Sequence, residues 1–227
     1  MLQIESIKPD RRNDGGAPSK LSGDVFGALI NLSGRRRFTS QRVVLYAVLG
    51  SLGHDGALAT AREALTLFRD AHLTLIESKG DLPGVFCDDL KQAYFGNLEG
   101  DRHIREFIDL ADRTFHAIER ESRQMPALLD ELVRSATPLL AILNRLTQIY
   151  EEQSKHHAVK LKKQLLSMMT DIKTIAKQAR MVSFNAQIVA ARSGAAGREF
   201  SVVASVLTNI TGEIDDLVHQ ALAGSGA

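Results

Sequence analysis

The chain has 227 residues, 44% of them hydrophobic, which is long enough for one large domain or two small ones. A net charge of +1 supplies no global field for nucleic acid or an anionic membrane, and a single cysteine excludes an intramolecular disulfide. With 5% aromatic residues and no tryptophan, the composition favours helices over a β-sandwich.

Residues 1–20 are polar, carry Pro9, Gly15, Gly16 and Pro18, and read as a flexible tail without the apolar run of a secretory signal. From Leu21 to about Leu52 apolar residues recur with helical period, and Asp24 favours the first turn. Gly50 to Gly56 reads as a turn, and a second helix follows over roughly Ala57–Ser78. Lys79 to Gly84 is the next breaker, with shorter helices around Val85–Phe95 and Asp101–Ser122. Pro126 suits the first turn of a further helix, and the pattern then stays helical to Ser193. Pro138 predicts a kink or a boundary near Ala136–Thr137. The longest apolar run, Val43 to Gly53, is about half of the roughly 20 residues needed to span a membrane. The expected protein is all-α, cytoplasmic and without membrane insertion.

The last third carries a seam. Leu161, Leu165, Met168, Ile172, Ile175, Ala179, Val182, Ala186 and Val189 step by alternating four and three residues. The stepping resumes with Phe200, Val203, Leu207, Ile210, Ile214, Leu217 and Ala221. Between them Ser193-Gly194-Ala195-Ala196-Gly197 is short and small, so the segment predicts a long antiparallel coiled-coil hairpin with arms of about 50 and 35 Å. One hairpin buries one stripe per helix, so two copies are expected to dimerise as a four-helix bundle. The organisation read from this is a tail at 1–20, a helical bundle at 21–125 and the hairpin at 126–227, its turn near 193–198.

Enzyme signatures are missing. There is no P-loop, dinucleotide fingerprint or GxSxG, and no cofactor is expected. His156 and His157 are adjacent and splay by about 100° on a helix, while His54, His72, His103, His116 and His219 lack a ligand-spaced partner. No metal site is expected. Asp88 and Asp89 beside Cys87 would raise its thiol pKa, which argues against a nucleophile.

Ile175 to Ile210 resembles the hairpin tip of methyl-accepting chemotaxis proteins. The resemblance rests on Ile175, Ala176, Gln178, Asn185, Ala186, Ile188, Ala190, Ala191, Arg192, Gly194, Gly197, Arg198, Phe200, Val202, Val203 and Ala204, all in register. It implies a tip that engages a histidine autokinase and its coupling adaptor. Asn185, Ile188, Arg192, Arg198 and Phe200 then become contact candidates, with Gly194 and Gly197 forming the turn. Paired arginines suit carboxylate recognition, and small residues permit a tight reversal. The sequence departs from the family pattern at Val189 and Ala195, where the family has glutamate, and at Glu199, where it has glycine. Val189 makes that part of the tip more apolar and puts the family's dimer-to-dimer contacts in doubt. The Glu151–Glu152 pair has some likeness to a methylation site, but no helix would lie opposite it, and it reads as solvated surface.

Ile30 to Val48 resembles a second signature, the opening helix of sensor domains in type IV pilus chemotaxis transducers and nitrate-responsive kinases. Ile30, Asn31, Gly34, Arg35, Arg37, Ser40, Gln41 and Arg42 match, with Phe38 standing for a methionine. The resemblance implies a small anionic ligand held at a dimer interface, with Arg37, Asn31 and Gly34 as its candidates. A guanidinium offers several fixed donors to a planar oxyanion. Arg35, Arg36, Arg37 and Arg42 are equally readable as a basic helix face or as ion-pair partners. Two functions follow. One is a cytosolic chemoreceptor-like transducer that is not an enzyme. The other is a non-sensing adaptor or competitor that docks on a chemosensory array, its N-terminal bundle serving dimerisation or docking.

Overall fold

A computed structural model describes residues 21–224. Among these residues the chain is all-α. Six α-helices follow in order: α1 (Gly23–Ser51), α2 (Ala57–Ile76), α3 (Asp88–Phe95), α4 (Gly100–Glu119), α5 (Met125–Arg192) and α6 (Arg198–Gly224). A 3-10 turn, Gly194–Gly197, joins the last two, and the sole β feature among the described residues is an isolated bridge between Lys79 and Leu82. The expected tail lies outside the described residues.

The start of α1 follows from local chemistry. Ser22 is extended and its hydroxyl accepts from the Val25 N–H at 3.3 Å, while Asp24 places a carboxylate on the positive end of the helix. Pro138 does not end a helix: α5 runs through it, so the expected boundary at Ala136–Thr137 is absent. The proline ring removes one N–H from the ladder, yet both flanking turns are held in place. Leu132, Leu139 and Leu143 are all buried and anchor that stretch to the bundle.

The chain separates into two units that meet between Lys155 and His156, inside α5. The sequence reading placed its boundary at the start of that helix. The first part of α5 instead completes the bundle core, with Leu146, Ile149 and Tyr150 at most 4% exposed. In this first unit α1 packs on α2, and Ala47 of α1 and Ala61 and Ala64 of α2 are fully buried in the shared core, where small side chains permit close approach. The scarce aromatic residues are spent in the core: Phe68 meets Phe107 edge-on at 5.5 Å, and Phe26, Phe115, Tyr94 and Tyr150 are buried.

In the second unit, Arg180 pairs with Asp215 at 3.2 Å and Gln187 donates to Thr208 at 3.4 Å. Seven residues forward on α5 correspond to seven backward on α6, so these arms run antiparallel. The buried positions are Ala176, Ser183, Ala190, Gly197, Ala204, Thr211 and Val218, a strict seven-residue series of mostly small residues. This layer lies one residue beyond the predicted seam. Seam residues such as Ile175, Val182, Val203 and Leu217 are 62–64% exposed within one chain. The two arms therefore meet through small side chains that let the backbones approach, and the large apolar side chains stand outside that contact.

Candidate functional site

The reversal at the end of α5 is built by hydrogen bonds to its last turn. The Ser193 N–H donates to the carbonyls of Val189 and Ala190, at 3.2 and 3.1 Å, and its hydroxyl donates to Val189 O at 3.0 Å. Gly194 then takes φ +59°, the left-handed conformation that ends helices and that glycine adopts without strain. Gly197 is buried against Ala190, while Ala195 and Ala196 face solvent. The two predicted turn glycines thus occupy the turn.

The predicted contact residues surround it. Arg192 is the last residue of α5 and Arg198 the first of α6, so two guanidiniums bracket the four-residue turn. Both are exposed, as is Asn185. Ile188 and Phe200 are 39% and 54% exposed, and Val189 adds an exposed apolar group where the resembled pattern has a charge. Among the described residues neither Arg192 nor Arg198 has an acidic partner within the chain, so both cations are available. An apolar surface with two unneutralised guanidiniums suits a partner with hydrophobic side chains and carboxylates.

The second candidate site is arranged differently. Arg37 is half-buried and one of its terminal nitrogens donates to Asn144 Oδ1 on α5 at 3.3 Å. A β-carbon at Gly34 would lie 3.6 Å from the other terminal nitrogen, an ordinary contact, so Gly34 lies beside the guanidinium on α1. Asn31 is exposed. Helix α1 thus places all three residues on adjoining turns, with Arg37 already engaged by its own chain.

Sequence reading grouped Arg36 with a basic helix face or with ion-pair partners, but it is fully buried and has no carboxylate partner among the described residues. One terminal nitrogen donates to Ser33 Oγ at 3.2 Å, the other to His72 Nδ1 at 3.2 Å, and the Nε is without a partner. Its guanidinium lies 5.7 Å from the Tyr94 ring centroid. Because a guanidinium only donates, His72 Nδ1 must be bare, so Nε2 carries the proton and donates to Asp101 Oδ1 at 2.8 Å. Burial, and then the Arg36 charge, push His72 down to about 4, so it is neutral at physiological pH. Burial opposes ionisation of Asp101, but the hydrogen bonds from Arg105 and His72 outweigh it and hold its pKa below the usual carboxylate value. Ser33 also shares a 2.8 Å hydrogen bond with Thr147, and Tyr94 meets Tyr150 at 3.2 Å between hydroxyls. The result is a polar chain through α1, α2, α4 and α5 that relays a buried cation to a carboxylate through a neutral imidazole.

Burial is the main cause that raises the Cys87 thiol pKa, with Asp89 and Asp88 adding to it. Among the described residues no group of histidine, cysteine and carboxylate side chains could hold a metal ion, and no helix is long and apolar enough to cross a membrane.

Comparison with known proteins gives one informative likeness. The chain is 31% identical over 120 residues to methyl-accepting chemotaxis protein TlpQ of Pseudomonas aeruginosa. That stretch is 53% of this chain and 14% of the relative's length. No family model matches the sequence, and no solved structure matches it.

Proposed function

We propose that this chain is a chemoreceptor-like signal transducer, without enzymatic activity, whose turn region at Ser183–Phe200 docks a histidine autokinase and its coupling adaptor. The observation that carries this reading is the pair of unpartnered arginines, Arg192 and Arg198, flanking a glycine-built turn beside exposed Ile188 and Phe200. The likeness to a chemotaxis protein over half the chain supports it. In this reading the arms form a signalling hairpin. The outward apolar seam is covered by a second copy in a four-helix bundle, and the homodimer works in the cytoplasm. A bias between two nearly isoenergetic helix packings supplies the output.

The alternative is an adaptor that occupies a chemosensory array through the same turn without sensing. The Arg37–Asn144 hydrogen bond favours it, because one terminal nitrogen of Arg37 is already spent within its own chain and a small anion would have to share or displace Asn144 there. The deciding experiment is a pull-down of the host's kinase and adaptor with the wild-type chain and with Arg192→Glu/Arg198→Glu. Binding lost in the double variant, with helicity and mass unchanged, is the expected result. Equal capture by both forms, or by neither, would remove the docking role from the turn.

A further inference from the structure

Between α4 and the first part of α5 lies a cleft of about 570 Å³, within the range of small-molecule sites. Its floor is apolar: Phe107 and Leu139 are 3% exposed and Leu110 6%. Its walls are not neutral. Glu106, Asp109 and Glu131 contribute three carboxylates against one guanidinium, that of Arg113. Arg113 is held by Asp109 at 3.2 Å, and Glu106 is approached by His103 at 3.4 Å and Arg102 at 3.6 Å. Glu131, across the cleft on α5, has no ion pair among the described residues. One face of a ligand-sized apolar pocket thus carries an uncompensated negative charge.

The arrangement discriminates between ligand classes. An anion would meet like charge. A bare divalent cation needs three or more converging ligands, and no such group exists among the described residues. A neutral apolar molecule would use the floor and leave the carboxylates unused. We propose that the α4–α5 cleft binds a small organic cation with an apolar body, an alkyl- or arylammonium. Its hydrocarbon part rests on Phe107, Leu110 and Leu139, and its ammonium group lies between Glu131 and Glu106. Pro138 lines the same cleft. It removes one N–H from the hydrogen-bond ladder of α5, the helix that continues to the glycine turn, so the ligand would sit beside that gap in the ladder. The site is separate from Arg37, and its occupancy does not depend on whether the turn docks a kinase.

The test uses the full chain with benzylammonium as the probe and benzyl alcohol and benzoate as matched controls. Calorimetric titration should give saturable binding of the ammonium. Benzyl alcohol should bind at least about tenfold more weakly, a difference of about 1.4 kcal/mol. Benzoate should not bind. Glu131→Gln should weaken the ammonium about tenfold while leaving the alcohol unchanged, and raised salt should weaken only the ammonium. Both Glu106 and Glu131 are exposed, so Glu106→Gln/Glu131→Gln keeps the fold, and circular dichroism verifies this. Equal affinity for ammonium and alcohol would overturn the proposal. So would an unchanged affinity in the double variant, or no saturable binding at about 10 mM.

Discussion

Gly197 lies against the backbone of Ala190 so closely that a β-carbon there would come within 2.1 Å of the Ala190 carbonyl oxygen. The nearest atoms are all backbone, which cannot swing aside as a side chain can. Gly194 presents the opposite case: its φ is +59°, but a β-carbon there meets nothing within 4 Å. Gly194→Ala should therefore cost about 1 kcal/mol of left-handed strain. Gly197→Ala must push the start of α6 off α5 and should cost about 2 kcal/mol or more. Urea unfolding followed by far-UV circular dichroism separates the two. If Gly197→Ala proves the milder change, the close contact does not hold in solution.

The turn and the helices were legible because they depend on local chemistry: glycines flanked by apolar periodicity, and a serine and an acid at the start of α1. Arg36 was legible in principle. It falls on the stripe Leu29, Ser33, Ser40, Val43 and Ala47, all of them buried, yet a run of three arginines reads as one basic face. The buried stripe runs through the middle arginine of the three and leaves its two neighbours at its edges. Its pairing with His72, and that of His72 with Asp101, joins residues 36 and 29 positions apart, and no spacing rule predicts that. The seam was read at the right period, but the layer in contact lies one residue further on. Small residues such as Ala190 and Ala204 give little hydrophobic signal, although they decide how closely two helices approach.

The His72 relay makes a pH prediction. A histidine held near 4 in the folded chain and near 6.5 when unfolded binds more protons in the unfolded state between those values. Its contribution to stability is therefore complete above about pH 6.5 and is lost as the pH falls toward 4. The lowered pKa of Asp101 acts in the same direction, more strongly at the acid end. Between about pH 7.5 and 5 the His72 contribution alone should lower the unfolding free energy by on the order of 2 kcal/mol. His72→Gln should be less stable at neutral pH and should lose most of this slope. Urea midpoints at the two pH values measure it, and a slope unchanged by His72→Gln would mean that the imidazole is not held neutral by Arg36.

The outward seam supplies the last prediction. Ile175, Val182, Val203 and Leu217 are 62–64% exposed in one chain, whereas the residues that join its arms are mostly small. A pair of helices held by alanine, serine, threonine and glycine contacts buries little apolar area, and such a pair is marginal alone. If a second copy covers the seam, each of these side chains becomes buried, and a polar replacement should cost roughly 1–3 kcal/mol. If the seam stays in water, the same replacement should cost no more than about 0.5 kcal/mol. Val182→Ser/Leu217→Ser tests this on both arms, with Val133→Ser as the comparison, since Val133 is 44% exposed on the bundle part of α5 and belongs to no seam. Light scattering should give twice the chain mass for the wild-type protein and for Val133→Ser. The double seam variant should fall to the mass of one chain and lose helicity in proportion to α6 and the end of α5. A single-chain mass for the wild-type protein would mean that the seam is not a self-association surface, and that its apolar side chains await a different partner.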